Sequence, residues 1–166
     1  MSRLLPLLLI ASAWVALPAA AQSSDAMQPF TAHVGDWEGE GWIVAGPGDR
    51  QTFTVRETLR PILGGSALLM EGSGHEAAML RVLTFDADTQ TYAVQAFTSA
   101  AAPIAADVEL VDGQLVWTYT DAQDRQVRWT ERFGEDGTWV RTGEVSPDGG
   151  ARWIPVSEIT LQRAGA

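Results

Sequence analysis

Glu57, Glu131, Arg141 and Tyr119 are the residues whose chemistry could act together. A guanidinium held away from water binds a carboxylate or phosphate through two parallel N–H donors. A phenol adds one hydrogen bond, and inner carboxylates are the groups from which general acid or base catalysis would be built. The arginine has two readings. It anchors a ligand, or it neutralises Glu131 as a buried cross-strand pair, because a lone buried charge is costly. The readings are compatible, since a paired arginine keeps a free edge. Trp117, Trp129, Trp139 and Trp153 either line an aromatic pocket or pack as ordinary core.

Other chemistry-bearing stretches are incomplete. His75 lies in Ser73-Gly74-His75-Glu76 and reads as a loop residue rather than a haem or metal ligand. Asp86-Ala87-Asp88 lacks the glycine and terminal glutamate of a calcium loop. Gly72-Ser73-Gly74 lacks the spacing and the following helix of a nucleophile elbow. The chain has no cysteine, so disulfides and thiolate–metal sites are excluded. No catalytic residue and no metal ligand is assigned, and no cofactor is expected, with haem the alternative.

The elements that must position these residues follow a period of two, the pattern of half-buried strands. Ten strands are expected, over 36–45, 51–60, 66–73, 78–85, 92–99, 106–111, 114–120, 126–133, 138–145 and 152–162, separated by turn residues. Residues 22–34 read as a polar leader with a short turn of helix. A meander of short strands favours an antiparallel up-and-down β-barrel, which exposes no edge. Asp112-Gly113 suits a type I′ turn and pairs Leu110 with Leu115 and Val108 with Trp117. Glu135-Asp136-Gly137 suits a three-residue loop with a glycine bulge. That register opposes Phe133 to Trp139, Glu131 to Arg141, Trp129 to Gly143 and Val127 to Val145. Glu131 and Arg141 then point inward, as does Glu57, which alternates with Thr52, Thr54, Arg56 and Thr58. Arg141 is the only inner basic residue this register finds. Trp37, Gly39, Gly41 and Ile43 share the inner face of the first strand, where the glycines leave space. Small residues and a few charges inside are the build of a container.

All eleven basic residues are arginines, and the formal net charge is −10. That sign argues against nucleic acid and anionic membrane surfaces as partners. Arg3, the apolar run Leu4 to Leu17, Pro18 and Ala19-Ala20-Ala21 fit an export signal over residues 1–21. The mature chain is expected to start near Gln22, in the periplasm or outside the cell, as a single domain over 22–166.

Gly35-Asp36-Trp37-Glu38-Gly39-Glu40-Gly41-Trp42 resembles the opening strand of nitrobindin-like barrels and of the bacterial domain-of-unknown-function family 1579. Leu63-Gly64-Gly65, Leu68 to Gly72, Phe85-Asp86 before Tyr92, and Leu115-Val116-Trp117 are similar to the rest of that bacterial family. The resemblance spans about Val34 to Arg163. It implies a calycin-like barrel, with the architecture of lipocalins and fatty-acid-binding proteins, that holds a hydrophobic small molecule or haem. For the bacterial family itself it implies no established activity. It also implies structural roles for Trp37, which plugs one barrel end, and for Arg163, which packs across it. Two departures stand out. The end region Trp153 to Glu158 has no histidine to serve as a proximal haem ligand, and Gly46-Pro47-Gly48-Asp49 replaces the helical lid of fatty-acid-binding barrels.

Three readings of function remain. One is a barrel that binds a small apolar or amphiphilic ligand through Arg141, Tyr119, Glu131, Glu57, Trp117 and Trp129. Another is a scaffold or partner-binding barrel with a filled interior. The last is an enzyme, such as a hydrolase or isomerase, supported only by the inner carboxylates. The volume of the interior separates the first two.

Overall fold

The computed structural model describes residues 24–75 and 77–165. The expected export signal over 1–21 lies outside the described residues. Ten strands form a closed antiparallel barrel, with each strand bonded to its sequence neighbours and the last bonded to the first. They are β1 (Gly35–Gly46), β2 (Asp49–Ile62), β3 (Ala67–Gly74), β4 (Ala77–Asp86), β5 (Thr91–Thr98), β6 (Ile104–Val111), β7 (Gln114–Thr120), β8 (Gln126–Phe133), β9 (Trp139–Ser146) and β10 (Ile154–Arg163). Every boundary falls within two residues of the one read from the sequence.

Turn chemistry sets the register. Asp112 and Gly113 both have positive φ, 51° and 77°, as a type I′ turn requires, and Leu110 pairs with Leu115 and Val108 with Trp117. Gly137 has φ 80°, and β8 pairs with β9 through Phe133–Trp139, Glu131–Arg141, Trp129–Gly143 and Val127–Val145. Closure is made by β1 and β10, from Trp37 opposite Arg163 to Ile43 opposite Ser157.

The first-strand glycines do not hold space open. A Cβ on Gly39 would strike the Thr160 carbonyl, and one on Gly41 would lie 2.9 Å from both Phe53 and Ile159. They allow β1 to approach β10 closely and let large neighbours fill the lumen, which corrects the expectation drawn from composition.

The leader is also more than polar chain. Residues 24–34 cross one barrel end, and the 3-10 turn Gln28–His33 buries Phe30. Met27 and Phe30 join the apolar cluster of Leu59, Leu68, Leu83, Val94, Val108 and Leu115. A second cluster, Trp37, Val55, Trp139, Ile159 and Leu161, fills the side made by β9, β10, β1 and β2.

Candidate functional site in the barrel interior

Four charged side chains meet inside the barrel beside Met70, which packs against both apolar clusters. Glu57 comes from β2, Arg81 from β4, Glu131 from β8 and Arg141 from β9. Their exposures are 4%, 4%, 1% and 1%. Arg141 donates to Glu57 Oε1. The other Glu57 oxygen lies 3.8 Å from Arg81, and Arg81 donates to Glu131 Oε1 at 2.5 Å. Trp117 Nε1 donates to the same Glu131 oxygen at 3.0 Å. The result is an alternating chain, Arg141–Glu57–Arg81–Glu131, of zero formal charge.

This arrangement changes two expectations. Arg141 is not the only inner basic residue, because Arg81 is equally enclosed. Arg141 and Glu131 are cross-strand neighbours but do not form the expected ion pair; each takes its partner from across the lumen. Burial acts to raise the Glu131 carboxyl. The charges of Arg81 and Arg141, with hydrogen bonds from Arg81 and Trp117, outweigh it and hold the group below the usual carboxylate range.

Charge neutrality does not satisfy every polar atom. Among the described residues, five buried side-chain polar atoms have no hydrogen-bond partner: the donors Arg81 Nε, Arg141 Nε, Trp139 Nε1 and Trp42 Nε1, and the acceptor Glu57 Oε2. Each buried, unmade bond costs about 1–3 kcal/mol. Within the charged cluster itself both arginine Nε donors and the Glu57 Oε2 acceptor are left over, so a group that completed the arginines would be an acceptor and one that completed Glu57 a donor.

Between this polar cluster and the segment that crosses the barrel end lies a cavity of about 30 Å³, lined by Phe30, Leu59, Leu68, Leu83, Arg81 and Glu131, among others. It is far smaller than the several hundred Å³ of a typical small-molecule site. Phe30 lines it, and Met27 packs in the same apolar cluster.

Trp117 stacks on Trp129 at 5.7 Å and on Tyr119 at 5.9 Å, forming a ladder of near-parallel rings. Trp129 and Tyr119 are half-buried. A Cβ on Gly143 would lie 3.0 Å from the Trp129 ring, so the glycine seats that ring. Burial raises the Tyr119 phenol above its ordinary range, with a smaller lowering by a bond to Trp129, so it stays a neutral hydroxyl. Trp139 is fully enclosed, with the Arg141 guanidinium 5.0 Å from its ring centroid. Trp153 stands apart from an inner aromatic pocket: it precedes β10 and lies under Arg128, a residue of the outer face.

Trp37 is buried beside the crossing segment and donates to the His33 carbonyl at 2.9 Å. The Arg163 guanidinium lies 4.7 Å over its ring, a geometry worth roughly 0.5–2 kcal/mol. Arg163 also donates to the Val34 carbonyl at 2.7 Å and to that of Ala32. His33 stacks on Phe133, and its imidazole is pushed below its ordinary value by burial and by the charge of Arg163. His75 stands at the β3–β4 turn, tilted against Phe53 at 5.3 Å. Among the described residues no three His, Asp or Glu side chains are grouped to hold a metal ion.

A closed antiparallel barrel of this strand order is the lipocalin-like class of fold. Among solved structures, an S-type phycobiliprotein lyase from Guillardia theta is similar, with a TM-score of 0.53 and 12% identity over 90% of this chain and 99% of that one. This likeness concerns the fold. No protein-family model and no curated protein matches the sequence.

Proposed function

We propose that the protein is an exported binding barrel for a small amphiphilic molecule, held in the interior with a hydrogen-bond acceptor directed at the buried arginines. The observation that carries this reading is the polar cluster itself. A buried ion-pair network is often no more stabilising than apolar side chains of the same volume. A core selected for stability alone has little use for two arginines with unpartnered N–H donors. An acceptor group would complete those donors, and the apolar cluster beside them suits a hydrocarbon body.

The cavity volume favours a filled interior, and binding must therefore displace side chains. Residues around the cavity from the barrel wall are tied into the sheet on both sides, whereas Met27 and Phe30 are not. Cleavage near Ala21 and residence in the periplasm or outside the cell belong to the same proposal, as does membership of the bacterial family that the sequence resembles.

Titration with dodecanoic acid and its methyl ester, followed by tryptophan fluorescence, tests the reading. Trp117 bonds to the cluster and reports on it directly. Saturable quenching or a spectral shift is expected, with the acid bound more tightly than the ester. A flat response to both, with the protein folded, sinks the proposal.

A further inference from the structure

We infer that the outer face of β3, β4 and β5 is the contact surface between two copies of this chain, joined about a two-fold axis so that Arg60 of one copy meets the partner's Asp107. The inference concerns the outside of the barrel and does not depend on what the interior holds. Met79 to Leu83 marks the place. A strand that is apolar on both faces is suited to being covered on both, yet β4 turns Leu80 and Val82 to the outside of the barrel while Arg81 and Leu83 face in. The register adds neighbours of the same kind. Leu80 pairs with Phe97 of β5, and Val82 lies between Leu69 of β3 and Gln95 of β5. Leu69, Leu80 and Val82 are half-buried, and Phe97 is 42% exposed. A contiguous apolar patch on a barrel wall, unlike a scattered leucine, marks a contact surface.

Charge decides what the contact is with. The chain carries a formal charge of −10, so two copies repel wherever their acidic faces meet. The wall around β1 and β10 is one such face, with Asp36, Glu38, Glu40 and Glu158. Among the described residues of β3 to β5, two carboxylates point outward, Glu71 and Asp86. Arg60 neutralises Glu71 at 2.6 Å, and Asp86 accepts hydrogen bonds within its own turn from the amides of Asp88 and Thr89. The flanks of the patch then carry opposite signs. On one side β2 presents exposed Arg56 and Arg60, and on the other β6 presents exposed Asp107 and Glu109. A two-fold axis parallel to β4 lays the β2 side of one copy on the β6 side of the other, so each basic flank meets an acidic one. The heights agree. Arg60, Leu69, Val82, Gln95 and Ala105 form one row across five strands. Asp107 stands two residues further along β6, about 7 Å away and within reach of an arginine side chain. A second copy supplies this pattern of apolar centre and opposed flanks by symmetry alone.

Sedimentation equilibrium of the protein isolated from its own cells should show a reversible monomer–dimer equilibrium. Phe97→Glu and Leu80→Glu each place a charge in the patch, and each should weaken the dimer at least about thirtyfold, the scale of one interface hot spot, with circular dichroism unchanged. Asp107→Arg and Arg60→Glu test the pairing. Either one alone sets like charges together at both flanks of its own dimer and should weaken it by about tenfold or more. An equimolar mixture of the two restores opposite charges at both flanks, so it should recover most of the lost affinity as a mixed dimer. Wild-type protein that stays monomeric at every concentration overturns the inference, and flotation of that monomer with phosphatidylcholine vesicles would assign the face to a membrane instead. A dimer indifferent to Phe97→Glu and Leu80→Glu overturns it as well, and so does a mixture that associates no better than its components.

Discussion

Glu57 holds the interior cluster together because it faces both arginines, one at each oxygen. Arg141→Met removes a partner of comparable length and leaves Glu57 with only the longer contact to Arg81. Breaking a buried pair in this way costs about 3–5 kcal/mol. Adding Glu57→Gln should recover much of the loss, since the stranded charge is then gone. Chemical denaturation of the two variants checks this, and a double variant no more stable than the single one would show that Glu57 is not the stranded group. The sequence pointed to Glu57, Glu131 and Arg141 as inward but not to their partners. Cross-strand register fixes which Cβ atoms are close, whereas long side chains in a narrow lumen reach across it. Arg81 escaped notice for a different reason. Met79-Leu80-Arg81-Val82-Leu83 is apolar on both faces, so the alternation that phases the other strands gives no phase there.

At the scale of elements, the strands were legible because their turns are chemically explicit. Asp112-Gly113 and Glu135-Asp136-Gly137 each admit few backbone geometries, and each geometry fixes the register of its hairpin. The crossing segment was not legible. Met27 and Phe30, three apart, carry its large apolar side chains together with Val34 at its end, and nothing local says that a barrel end is waiting for them. The inner glycines misled in the opposite sense, since absence of a side chain reads equally as space or as close approach. Gly39→Ala tests which it is. The added methyl meets the Thr160 backbone, which cannot rotate away, so β1 and β10 must separate locally. A loss of about 1–3 kcal/mol is expected, the usual cost of overpacking. An unchanged denaturation midpoint would contradict the close approach.

For the whole molecule, half-buried His33 and buried Glu131 contribute to the response to acid, alongside the carboxyls of Asp86, Asp121, Asp136 and Asp148, which are also held low. His33 binds its proton more weakly in the folded state than in the unfolded chain, where its value is about 6.5. The His33 contribution is therefore fully present above that value and declines as pH falls below it. Glu131 is likewise depressed when folded, so its contribution is present above about pH 4.3 and is lost as pH falls through its lower folded value. Thermal unfolding followed from neutral to acid pH should show both losses. His33→Gln should remove the upper one and leave the lower, and an identical profile in that variant would mean the imidazole does not contribute.

Whether the interior receives an amphiphile is read by native mass spectrometry of the protein isolated from its own cells. A species heavier than the bare chain is expected, whose excess mass departs on denaturation as an acidic amphiphile. Added dodecanoic acid should restore a one-to-one complex after the native ligand is stripped. A bare chain from the cell that stays bare through the titration would exclude an amphiphile-binding interior and leave a filled, purely structural barrel.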